Sequence, residues 1–142
     1  MEKHATKTRF RRILCPIDFD RISIPALELA VSMARQYGGR VYLFYITPSV
    51  PTARQSAEIK EVTTDSLRSV ARKWLQGKVP YQIIVRSGAP VSGLLKAEKD
   101  LSIDLVVMAT HGRTGKRHTL LGSVTEQVVR RSICPVLTVR PT

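Results

Sequence analysis

Apolar positions along the chain fall into two alternating rhythms: short runs rich in β-branched and large apolar residues, and longer stretches where apolar residues recur every three or four places. The short runs predict five strands, at residues 12–17 (RILCPI), 40–46 (RVYLFYI), 81–86 (YQIIVR), 104–109 (DLVVMA) and 136–140 (VLTVR). The first, second and fourth are nearly continuous in apolar character, as strands buried on both faces of a parallel sheet are, so helices are expected on both sides. The longer rhythm predicts helices over 23–37, 56–76, 90–99 and 123–132. The first has Pro25 in its opening turn, Leu27, Ala30, Val31 and Ala34 on one face, and Gly38-Gly39 as its stop. The second places Ile59, Val62, Leu67, Val70 and Trp74 on one stripe and stops at Gly77. The last turns Val124 and Val128 or Val129 inward. This βαβαβαβαβ order predicts one α/β domain with a doubly wound, Rossmann-like five-stranded parallel sheet.

Two segments lie outside the pattern. Residues 47–54, with Pro48 and Pro51, read as a surface loop. Residues 110–121 form a polar, glycine-containing connection after a buried strand, well beyond the usual βα length of about 2–6 residues, which marks a functional loop. The chain of 142 residues is one domain long: a basic, flexible tail over 1–10 and a single folded unit over 11–142 are expected. No apolar run reaches the roughly 18 residues of a membrane helix and the start is polar, which predicts a soluble cytoplasmic protein without membrane insertion. The two cysteines, Cys15 and Cys134, have no metal-ligand spacing and read as buried free thiols.

Charge narrows the partners. Twenty-three Lys and Arg against eleven Asp and Glu leave a formal charge of +12, which favours polyanions: nucleotides, nucleic acid or acidic surfaces. In a doubly wound sheet, ligands sit beyond the carboxyl ends of the strands where the strand order reverses. That rule selects Asp18 after strand 1, Thr47 after strand 2 and the loop after strand 4. In this loop Gly112, Arg113, Gly115, Lys116 and Arg117 precede Gly122-Ser123 at the start of the last helix. Glycine N–H groups, the hydroxyls of Ser123 or Thr125, a helix N-terminus and local cations together suit a phosphate chain; a basic surface loop is the plainer alternative. Asp18 suits a ribose hydroxyl or a metal ion, or else caps the following helix, a role for which Asp20 competes. His111 is placed to touch a phosphate, whereas His4 and His118 read as solvent-exposed. The loop lacks the spacing of a P-loop, no G-x-G-x-x-G follows strand 1, and no nucleophile with an evident His and acid partner occurs.

These residues also carry a resemblance. The run from Met108 through Ala-Thr-His-Gly-Arg-Thr-Gly-Lys-Arg-His-Thr-Leu-Leu-Gly-Ser-Val-Thr to Glu126, the segment Cys134-Pro-Val-Leu-Thr-Val139 and the opening Ile13-Leu-Cys-Pro-Ile-Asp-Phe19 resemble the universal stress protein family over almost the whole chain. The ATP-binding branch of that family carries G-x2-G-x9-G followed by Ser or Thr. Gly112, Gly122 and Ser123 fit it, and Ala109 stands at the first glycine position. The resemblance implies a flavodoxin-like sheet of order 3-2-1-4-5 binding ATP with Mg2+ or Mn2+ held between phosphate oxygens. Pro16, Ile17, Asp18, Ile46, Met108 and Ala109 would lie around base and ribose. His111, Gly112, Arg113, Gly122, Ser123, Val124 and Thr125 would lie around the phosphates. It further implies a homodimer paired through the last strand, a stress-response role as a binding or switch module, and at most slow ATP hydrolysis. Two alternatives remain: a basic nucleic-acid-associated protein, against which stand the absence of an RNP motif and an aromatic content of 6%, and a dimeric scaffold that has lost its nucleotide.

Overall fold

The computed structural model describes residues 9–19, 23–111 and 121–140. Strands and helices alternate strictly: β1 (Arg12–Pro16), α1 (Ile24–Tyr37), β2 (Arg40–Thr47), α2 (Ala53–Trp74), β3 (Tyr81–Ser87), α3 (Pro90–Asp100), β4 (Leu105–Ala109), α4 (Ser123–Arg131) and β5 (Val136–Val139). The sheet is parallel throughout, in the expected order β3-β2-β1-β4-β5. β1 pairs with β2 on one side and β4 on the other, so the winding direction reverses between β1 and β4.

Alternation along the strands divides the core in two. Ile13, Cys15, Val41, Leu43, Leu105 and Val107 pack against Ala26, Leu27, Ala30 and Ala34 of α1 and Leu67 and Ala71 of α2. Leu14, Tyr42, Phe44, Val106 and Met108 pack against Leu94 and Ala97 of α3 and Val128 of α4. The alanines on α1 bring that helix close to the sheet, and Gly38 at φ 65° ends it as a left-handed cap.

Three expectations are corrected. The second helix begins at Ala53, not at residue 56, because Thr52 and Gln55 form a reciprocal capping box: the Thr52 hydroxyl accepts from Gln55 N and the Gln55 side chain accepts from Thr52 N. Val62 is 68% exposed, and full burial along α2 begins only at Leu67. In α4 only Val128 of the three valines turns into the core, while Val124 and Val129 remain exposed.

The end of α4 is tied to α3 through Glu98, which is almost wholly buried. Its carboxylate accepts from the Ser132 hydroxyl at 2.7 Å and from Ile133 N at 3.2 Å, setting the turn into β5. Asp104 plays the matching part before β4, accepting from the backbone N–H groups of Arg11 and Arg12.

Two outcomes follow for stability. Leu67→Ala opens a cavity in a fully buried site and should cost about 2–5 kcal/mol in urea denaturation, whereas Val62→Ala should stay within about 0.5 kcal/mol of wild type. Burial pushes the Cys15 thiol up to about 12, while an unfolded thiol ionises near about 8.5. Between those values the unfolded chain releases a proton that the folded chain keeps. The Cys15 contribution is therefore intact below about pH 8.5 and falls by up to about 1.4 kcal/mol per pH unit above it. Cys15→Ala should show a flatter alkaline decline than wild type.

Candidate functional site

The sheet opens at the carboxyl ends of β1, β2 and β4 into a cleft of about 260 Å³. Pro16 and Ile17 enter it from β1, Tyr45 and Ile46 from β2, Met108 and Ala109 from β4; Pro90 and Leu94 of α3 and Val124 and Thr125 of α4 close its other side. Its lining is mostly apolar, and Asp18 and His111 are its carboxylate and its imidazole among the described residues. Such a lining suits a flat, weakly polar ring system held by a few polar contacts.

Asp18 stands where β1 ends. Its Oδ1 accepts from the Ser23 hydroxyl at 2.7 Å and its N–H donates to the same hydroxyl oxygen at 3.3 Å, which ties the end of β1 to the start of α1. Ser23 occupies the N-cap position of α1 without a side-chain cap bond. Phe19, next in the chain, adopts φ 64°, a conformation that costs a residue with Cβ of order 1 kcal/mol. It is held against Tyr45 with ring centroids 4.8 Å apart. Asp18 thus lines the cleft, and Phe19 rests on Tyr45, itself a residue of the cleft wall.

The other polar element is the start of α4. Gly122 N donates to Thr110 O at 2.7 Å, which brings together the two ends of the long loop after β4. Thr125, buried, donates its hydroxyl to Ala109 O at 3.0 Å. Thr110, also buried, donates its N–H to Val139 O and places its hydroxyl 3.0 Å from His111 Nδ1. These bonds lock α4 to the end of β4. Gly122 supplies no side-chain cap, so the N–H groups of Ser123, Val124 and Thr125 at the first turn have no intrahelical acceptor and point toward an incoming group. An anion is the matching partner.

The structure brings Pro16, Ile17, Asp18, Ile46, Met108, Ala109, His111, Val124 and Thr125 together in the cleft wall. Gly122 and Ser123 stand at the head of α4 beside it. The Thr125 hydroxyl proton is spent on Ala109 O, which leaves its N–H as the donor for a ligand. Asp20, Gly112, Arg113, Gly115, Lys116, Arg117 and His118 lie outside the described residues. Among the described residues, no cluster of three or more His, Cys, Asp or Glu is placed to hold a metal ion by itself.

Sequence reasoning passed over Ser23, Tyr45, Pro90, Leu94 and Gly93. The last had a readable sign, a glycine inside a helical pattern. A Cβ there would stand 2.5 Å from Ile46 Cδ1, so Gly93 sets how far Ile46 reaches into the cleft. Pro90 and Leu94 carry no mark of their own in the sequence; only the packing of α3 over the end of β2 brings them to the site.

Comparison with known proteins agrees with this architecture. A model of the universal stress protein family matches residues 9–140. Universal stress protein MJ0531 of Methanocaldococcus jannaschii is 29% identical over 140 residues, covering 92% of this chain and 82% of that protein. The solved structure of MJ0577, a universal stress protein of the same organism, superposes with a TM-score of 0.80 at 24% identity over 94% of this chain and 97% of its own. A universal stress protein solved in complex with cAMP superposes with a TM-score of 0.65 at 24% identity, covering 94% of this chain and 99% of its own. With the family model spanning nearly its full length and the sheet wound in the order the family uses, the chain belongs to the universal stress protein family.

Proposed function

We propose that this protein is an ATP-binding member of the family, a stress-response module whose occupancy acts as a switch. The observation that carries this reading is the pairing of Asp18 with the uncapped first turn of α4 across one apolar cleft at the point where the sheet reverses. Ile17, Ile46 and Met108 would wall the adenine, and Asp18 would accept from a ribose hydroxyl. The N–H groups of Ser123 and Val124, with Gly112 and Arg113, would meet the phosphates. A divalent ion, Mg2+ or Mn2+, would be held through phosphate oxygens and would neutralise their charge. The relative solved with cAMP supports an adenine nucleotide as the ligand class. Asp18, the carboxylate of the described lining, is engaged by Ser23, so the reading is of binding with at most slow hydrolysis.

Calorimetric titration of nucleotide-free protein with ATP and Mg2+ should give saturable binding at about one ATP per chain; a flat titration of folded protein would sink the assignment. Gly122 has φ −68° and ψ 162°, open to any residue, so Gly122→Val should fold. It should bind ATP at least about tenfold more weakly.

We further propose a homodimer paired through β5. Val106 N donates to Pro135 O and Thr110 N to Val139 O, so by alternation the N–H and C=O of Val136 and Thr138 face the open edge. Ile133, 65% exposed, adds apolar surface just before that strand. Thr138→Pro removes an outward N–H without touching the β4 ladder. Light scattering should find wild type at twice the 15.9 kDa chain mass and the variant at the chain mass; a dimeric Thr138→Pro protein would exclude this edge.

A further inference from the structure

At the opposite pole of the sheet, where the strands begin, lies a second groove of about 280 Å³ lined by Arg11, Arg12, Gly38, Gly39, Arg40 and Pro80. Arg12 and Arg40 are register partners on adjacent strands, so their backbones lie about 4.8 Å apart and their side chains leave the same face of the sheet, with Arg11 next in the chain. Like charges placed directly opposite destabilise a sheet, and among the described residues no carboxylate lines the groove to relieve them. The nearest acid, Asp104, uses its oxygens on the backbone N–H groups of Arg11 and Arg12. Among the described residues none of the three arginines is in an ion pair.

Part of this charge has a structural use. Arg12 Nε donates to Leu101 O at 2.7 Å, closing the end of α3, and its guanidinium lies 5.1 Å from the centre of the Tyr42 ring. Arg35, Arg72, Lys99 and Arg131 sit in the last turns of the four helices, where cations complement the carbonyl ends. The side chains of Arg11 and Arg40 make no such bond among the described residues, and both are exposed. Arg12, anchored by its Nε and by the ring beneath it, presents its remaining N–H groups with little freedom left to lose.

We propose that this groove binds the phosphate backbone of single-stranded nucleic acid. Guanidinium forks fit phosphate oxygens in pairs, and a concave groove of this size admits one strand, not the convex face of a duplex. The neighbouring tyrosines are turned elsewhere, Tyr37 edge-on to Phe10 and Tyr81 onto the α1 and α2 core, so the contacts this groove offers are to phosphate. Contacts to the backbone alone carry no sequence information, so recognition here is general, steered by the cationic helix ends around the groove. The inference stands apart from the nucleotide reading, because the groove and the cleft lie at opposite ends of the strands.

The test is fluorescence anisotropy with a fluorescein-labelled single-stranded RNA of about 20 nucleotides, at about 50 and 200 mM KCl. Wild type should bind, and more weakly at the higher salt. The double variant Arg11→Gln, Arg40→Gln should lose at least about tenfold in affinity at the lower salt. Its dependence of log K on log salt should be shallower by about 1.4, about 0.7 for each phosphate that the variant no longer neutralises. Lys60→Gln with Arg68→Gln, which removes equal charge from the exposed face of α2, should leave most of the affinity; Gly122→Val should leave all of it. Absence of RNA binding by wild type, an unaltered Arg11/Arg40 variant, or an equal loss in the α2 variant would each overturn the proposal. So would displacement of the RNA by polyglutamate at equal charge concentration, which would give the groove to acidic polypeptides.

Discussion

A strand buried on both faces must find all its backbone partners in its own sheet and all its side-chain partners in two separate layers. β1 is that strand here: Ile13, Leu14 and Cys15 are fully buried, and the strand is paired on both sides. Right-handed parallel crossovers then send one chain direction toward β2 and β3 and the other toward β4 and β5, with helices on both faces. Where the two directions part, the described residues leave a cleft beyond the strand ends. The position of the site is thus a consequence of how the central strand is satisfied.

The cleft acquires chemistry because short hydrogen bonds hold polar groups at its edges. Ser23 fixes Asp18 from one side. From the other, Gly122 N on Thr110 O and the Thr125 hydroxyl on Ala109 O seat the first turn of α4 beside β4. The same segment reaches β5 through Thr110 N and Val139 O, so the loop after β4 is joined at its base to the cleft and to the sheet edge alike. A group bound at the head of α4 would therefore bear on the strand proposed to pair between subunits, which is the physical content of the proposed switch.

Among the described residues, the two recesses at the ends of the strands differ in charge. In the cleft at the carboxyl end an acid, a histidine and the hydroxyls of Ser23, Tyr45 and Thr125 are set in an apolar wall beside a helix N-terminus. At the amino end lie arginines that begin the strands and cations that finish the helices. Parallel winding alone would favour basic residues at the helix ends, through their exposed carbonyls. It does not call for Arg40 beside Arg12, and that excess is what makes the second groove distinctive.

Much of this was legible in the sequence, because strand and helix periods, the Gly38 stop and the Asp18 and Gly122-Ser123 positions are local signals. The reading failed where local signals compete or where burial depends on length. A helical stripe runs through Val62, but periodicity gives a face of the helix and not how far the covering layer follows it, and Val62 faces solvent. Thr52 and Gln55 stand at capping-box spacing, while Pro48 and Pro51 mark the same stretch as a loop. What the chain determined by itself was the alternation of elements, their order in the sheet through its family resemblance, and the residue types offered at the strand ends. Only the tertiary structure decided that Gly93 lets Ile46 stand in the cleft, that Thr125 spends its hydroxyl on Ala109, and that Arg12 and Arg40 lie side by side. Those contacts join residues far apart in the chain, and their distances are set by packing against a shared sheet, which no local pattern encodes.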